Sequence, residues 1–233
     1  MIEKINSYFS QLEGIITSPG PTLGGIMKSK NWVPVFIFIL ISILILSYVT
    51  LPYTMEQMSE VLKDSSLSEY MEEHNINLSN ISFVQKLFMV VPELIFLFII
   101  IGAGAFFTFL FFGIGGAEGI YINYFAIVTG ASLIDIVFPK ILESVSLIFN
   151  VKLFSLISPL ILFPGSDPKS LTTILISRFD VFSIWYTIAL ALGIAHFSKI
   201  SIKKSMTISV IYFLFKVIIL SAFSFLAMNI FRG

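Results

Sequence analysis

Between Val181 and Ser198 no side chain is formally charged, and the run is flanked by Arg178 and Asp180 on one side and by Lys199, Lys203 and Lys204 on the other. The hydrocarbon core of a bilayer takes roughly 20 apolar residues of helix to cross. A run of this length fits one crossing. Phe179, Phe182, Trp185 and Tyr186 gather at its start, where amphipathic rings suit the headgroup layer. Asp180 stands where a helix cap is needed. The lysines past the far end mark it as the side expected to face the cytoplasm.

The same pattern recurs along the chain. Of 233 residues 57% are hydrophobic and 12% charged, against about 25% charged in a soluble domain, and the mean hydropathy is +0.97. The expected class is all-α, a polytopic membrane protein with five transmembrane helices at about residues 32–53, 84–112, 120–139, 180–198 and 206–231, plus amphipathic interfacial helices. Residues 1–31 then form an amino-terminal cytoplasmic or interfacial segment, and residues 32–231 the membrane domain. Basic and acidic residues balance at 14 each, so net charge points neither to nucleic acid nor to an anionic lipid surface as a principal partner. Cysteine is absent, which excludes disulfides and thiol chemistry. The first apolar run, from Trp32, has no small-residue cleavage site and is expected to be retained as a span.

Before that span, Ile2, Ile5, Phe9, Leu12 and Ile16 recur at steps of three and four, the spacing of an apolar helical stripe. Such a helix either lies on the membrane or packs on the other spans. Ser18 to Pro21 breaks it, and Pro21 can start a second short helix ending near Lys28 and Lys30. After the first span, Glu56 to His74 is acidic and reads as a solvated outer loop. His74 has no second histidine at ligand spacing, the other being His196, so no metal site is expected.

Gly102 to Ala105 is a run of small residues that lets another helix approach closely. The glycines from Gly113 to Gly119 match neither phosphate-binding spacing and read as a flexible turn between helices. The third span meets Pro139 and can continue, kinked, to about Asn150. Leu153 to Pro164 is apolar but too short to cross.

Five crossings place the amino terminus, the Gly113 turn and the Lys199 loop on one side. That side carries Lys4, Lys28, Lys30, Lys199, Lys203 and Lys204 in short segments. The other carries Lys63, Lys86, Lys140, Lys152, Lys169, Arg178 and Arg232 over longer ones. Density of positive charge makes the first side cytoplasmic.

Glu93, Asp135 and Lys216 are the charges inside the expected spans, each costing roughly 2.5 to 3.5 kcal/mol at a helix centre. Lys216 can reach Asp135 or Glu93 across the bundle. The pair either fixes helix register or belongs to a proton or ion path. No G-x-S-x-G, no H-E-x-x-H and no clustered histidines appear, so the chain is expected not to be an enzyme and to hold no cofactor.

The whole chain resembles the Yip (Ypt-interacting protein) family of five-span membrane proteins. The resemblance rests on S-P-G-P-T-L-G-G-I-M at Ser18 to Met27, which includes Pro21, and on the glycine-rich turn at Gly113 to Gly119. It rests also on Pro139 in the third span, and above all on F-D-V-F-S-I-W from Phe179 and Asp180 to Trp185, with Gly193 eight residues later. The resemblance implies a membrane scaffold or partner-binding protein in membrane or lipid organisation or trafficking. Its eukaryotic members engage Rab-type small GTPases through a long cytosolic amino terminus. Only about 31 residues precede the first span here, so that partner is not carried over. Bacterial members with a short tail are similar, which implies the bacterial cytoplasmic membrane, with lipids, other membrane proteins or a homo-oligomer as partners. Two other readings stand beside it: a small transporter or channel subunit using Glu93, Asp135 and Lys216, and a small-GTPase-binding adaptor.

Overall fold

The computed structural model describes residues 2–63, 83–151, 153, 157–163, 165–167 and 170–230, with side chains within 8–55 and 88–227. The acidic loop around Glu69 to His74 lies outside the described residues, as does Pro164. Two amino-terminal helices, α1 (Ile2–Thr17) and α2 (Pro19–Ser29), lead into α3 (Val33–Lys63) and α4 (Phe83–Ile114). A third long element is built from α5 (Tyr121–Ser132), a π-helical stretch (Leu133–Val137) and α6 (Phe138–Phe149). A 3-10 turn (Pro159–Leu162) and the short α7 (Leu171–Ser177) precede α8 (Val181–Ser198) and α9 (Ile202–Ile230).

Five of these are long and apolar enough to cross a membrane: Val33–Met55, Phe88–Ile114, Tyr121–Phe149, Val181–Ser198 and Ile202–Ala227. The protein is therefore a multi-pass, all-helical membrane protein. The third span runs about ten residues past Pro139, and the last begins at Ile202, four residues before the expected Met206. Pro139 sits in the first turn of α6, directly after the π stretch. A proline ring obstructs regular α winding one turn back, and the wider π turn lets the helix pass that point without ending.

The third and fourth spans form the centre. About 61% of the third span's most apolar stretch and 50% of the fourth's are buried, against 22–28% for the first, second and fifth, whose outward faces are left for lipid. Tyr124, Ile127, Ile134, Leu190 and Ile194 are among the fully buried side chains there. The small-residue run of α4 does allow close approach. Tyr212 of α9 donates to the Gly104 carbonyl at 3.4 Å, and Tyr121 of α5 donates to that of Gly102 at 3.1 Å.

The helix α2 is seated within the bundle. The helix starts at Pro19, two residues before Pro21, because proline suits the first helical turn, where its missing N–H is not needed. The chain folds back at Ser18, so that Gly14 of α1 lies against Thr22 of α2. Leu23, Ile26 and Met27 are buried between α5 and α8. Leu23 meets Gly130, about nine residues and roughly 13 Å of helix inside α5. Gly20 lies against Leu192, and Gly24 against His196 and Gly193. The two helices therefore run side by side in the same direction and end at the same level. On α1, Ile15 is fully buried while Phe9 and Ile16 remain exposed, so the helix packs on the bundle through one face and turns an apolar face outward.

The glycine-rich turn is pinned rather than loose. The Glu118 carbonyl accepts from the Tyr124 hydroxyl at 3.1 Å and from Ser198 Oγ at 3.2 Å. Gly116 and Gly119 take φ of +75° and +128°, which only glycine adopts without strain. Three other residues end helices at positive φ: Lys30 (57°) after α2, Lys199 (54°) after α8 and Asn150 (51°) after α6. For a lysine that conformation costs about 1 kcal/mol or more, whereas asparagine tolerates it.

Candidate functional site

The charges inside the spans do not converge on one point. They form two separate pairs, each between helices distant in sequence.

In the first pair, Lys216 Nζ of α9 lies 2.5 Å from Asp135 Oδ2, in the π stretch of the third span. The ammonium also sits 4.6 Å from the centroid of the Tyr186 ring on α8, a cation–π contact. Ser183 Oγ is 3.0 Å from Asp135 Oδ1 and 2.7 Å from Asp180 Oδ2. Asp180 caps α8, its Oδ1 accepting from the Phe182 and Ser183 amides at 2.9 and 3.1 Å. A single network thus joins α5–α6, α8 and α9, and it includes a helix cap. Both charged side chains are mostly buried, at 22% and 15% exposure, so each depends on the other for its compensation.

In the second pair, Glu93 of α4 takes Lys140 of α6 at 3.0 Å on Oε1 and the Ser47 hydroxyl of α3 at 2.6 Å on Oε2. Lys140 also lies 3.5 Å from Glu143. Glu93 is 40% exposed, and it stands about five residues, or ~8 Å of helix, inside the start of its span at Phe88.

Of the three charges singled out in the sequence, the structure brings together Asp135 and Lys216 and leaves Glu93 with other partners. Lys140, counted above only as a flanking charge, is the residue that Glu93 requires. Its signal in the sequence was its place one residue after Pro139, in a helix that continues. Arg178 donates from Nη2 to Ser224 of α9 at 3.0 Å.

The residues that carry the family resemblance also take identifiable positions. Phe179 packs edge-on against Phe213, with ring centroids 5.3 Å apart. Phe182 stacks on Phe138, next to Pro139, at 5.8 Å. Trp185 packs against the core. A Cβ on Gly193 would stand 2.7 Å from Leu23 Cβ, 2.7 Å from Ile127 Cδ1 and 3.5 Å from the Gly24 nitrogen. The segment from Ser18 to Met27 therefore closes onto the end of the segment from Phe179 to Gly193. Asn123 of α5 secures this contact, donating from Nδ2 to the Met27 carbonyl at 2.8 Å while its Oδ1 accepts from the Ile120 amide at 3.1 Å. Pro21 lies on the exposed side of α2.

No group of three or more His, Asp or Glu side chains is placed to hold a metal ion among the described residues. His196 is exposed over Gly24, and His74 lies outside the described residues. No family model matches the chain, and neither a curated protein nor a solved structure matches it.

Proposed function

We propose that this protein is a non-enzymatic membrane scaffold of the Yip type, set in the bacterial cytoplasmic membrane with its amino terminus on the cytoplasmic side. It acts through helix packing and partners in membrane or lipid organisation. The observation that carries this reading is the docking of Leu23 and Gly24 onto Gly130 and Gly193. The two segments most like the Yip pattern are distant in sequence, yet they form one joint. Such a joint holds α2 in the bundle. The ion pairs fit the same reading, since each ties helices together and fixes their rotation.

A second reading, a small proton or solute transporter, is favoured by one specific feature. Asp135 lies in a π turn, a distortion found often at functional sites, and a carboxylate–hydroxyl–carboxylate series continues from it through Ser183 to Asp180.

Lys216→Met separates the two readings. The scaffold reading expects lowered unfolding stability and no measurable proton or solute flux in proteoliposomes from either form. Flux in the wild type that the variant abolishes while still folding would replace it with the transporter reading.

A further inference from the structure

At the end of the bundle where α2 and α8 stop together, lysines gather. Lys28, Lys30, Lys199, Lys203 and Lys204 are all exposed, and none forms an ion pair among the described residues. On the same elements, namely α2, the turn at 115–120, the link at 199–201 and the first turn of α9, the one carboxylate is Glu118. Lys204 Nζ reaches over that turn, 3.7 Å from where a Cβ on Gly116 would stand.

The backbone adds an independent observation. Lys30 and Lys199 each end a helix in the left-handed conformation, where glycine or asparagine is less strained. At the opposite end of the third span the same structural position is filled by Asn150. Strain accepted twice at one end, by the same cationic residue on two neighbouring helices, indicates that the charge itself is wanted there. About two turns further along α9 from Lys203 and Lys204, Val210 and Ile211 are exposed apolar side chains. Cations at the rim with bare hydrocarbon beneath them complement an amphiphile that has an anionic head and acyl tails.

We infer that this rim is a seat for anionic phospholipid headgroups of the leaflet that faces it, held by Lys30 and Lys199 with Lys28, Lys203 and Lys204 around them. The purified full chain in neutral detergent is titrated with phosphatidylglycerol and, separately, with phosphatidylcholine, while the thermal unfolding midpoint is followed. Phosphatidylglycerol raises the midpoint, added salt weakens the effect, and phosphatidylcholine has little effect. The variant Lys30→Asn/Lys199→Asn relieves the strain at both backbone positions, so its midpoint without lipid is no lower than the parent's, and it loses apparent affinity for phosphatidylglycerol by about fivefold per lysine. Should that variant not fold, Lys203→Gln/Lys204→Gln gives the same comparison. Equal shifts with the two lipids, or undiminished affinity in the variants, overturn the inference. An equal shift from soluble glycerol phosphate or from polyglutamate overturns it too, assigning the rim to free phosphate or to an acidic protein.

Discussion

Lys216 and Asp135 stand 81 positions apart in sequence and meet between α9 and the π stretch of the third span, with Nζ and Oδ2 2.5 Å apart. Removing one member strands the other as an uncompensated buried charge, which costs about 3–5 kcal/mol. Lys216→Met and Asp135→Asn are each expected to lower unfolding stability in bicelles or nanodiscs by an amount in that range. The joint variant Asp135→Leu/Lys216→Met recovers most of the loss, because it removes both charges. A joint variant no more stable than the weaker single one would show that the pair is not coupled.

Glu93 and Lys140 respond differently. Glu93 is 40% exposed, close to the end of its span, and has Ser47 as a second partner. Lys140 is itself only 19% exposed, but it keeps Glu143 at 3.5 Å when Glu93 is lost, so Glu93→Gln or Ser47→Ala is expected to cost about 1 kcal/mol, the upper end for exposed ion pairs. Measured beside the Lys216 variants under one set of conditions, Glu93→Gln losing as much stability as Asp135→Asn would reverse this ranking.

Gly193, like Gly24 and Gly130 at the same joint, is a position where a side chain has no room. Gly193→Val forces Leu23 and Ile127 apart, an overpacking expected to cost roughly 1–3 kcal/mol or to unseat α2. The native chain has no cysteine, so a single Cys placed at Leu23 reports the outcome without interference. It is protected from a membrane-impermeant maleimide in the parent and labelled when Gly193→Val is added. Gly25→Ala serves as the control, since nothing lies within 4 Å of a Cβ there. Protection that survives Gly193→Val would mean that the groove yields to the larger side chain.

Asp180 is held by the first-turn amides of α8. Asp180→Asn keeps an acceptor oxygen for them and is expected to change stability little, whereas Asp180→Ala costs about 1 kcal/mol. Equal losses in circular dichroism melts of the two variants would show that the charge matters beyond the cap.

The sequence located the spans because an uncharged apolar run of sufficient length leaves a chain few alternatives. Their rotation was harder to read. A helix apolar on every face carries no stripe to say which side is inward, so the sequence leaves Lys216 with either Asp135 or Glu93, and only the fold shows that Lys140 occupies Glu93. The π stretch left no mark beyond Pro139. The seat of α2 was hidden for another reason. It depends on the absence of side chains at Gly130 and Gly193, and a glycine does not announce which neighbour will use its space. Ser18 to Met27 and Phe179 to Gly193 each stand out in the sequence, but nothing in either segment says that they touch.

The docking of α2 also bears on the order in which the protein is made. Its groove is walled by α5 and α8, and Gly193 is synthesised about 170 residues after Leu23. At 5–20 residues per second, the second helix to leave the ribosome waits on the order of 10–30 seconds before its place exists. During that interval Leu23, Ile26 and Met27 have no bundle to pack against, so the membrane surface or a chaperone must shelter them until the fourth span has been inserted.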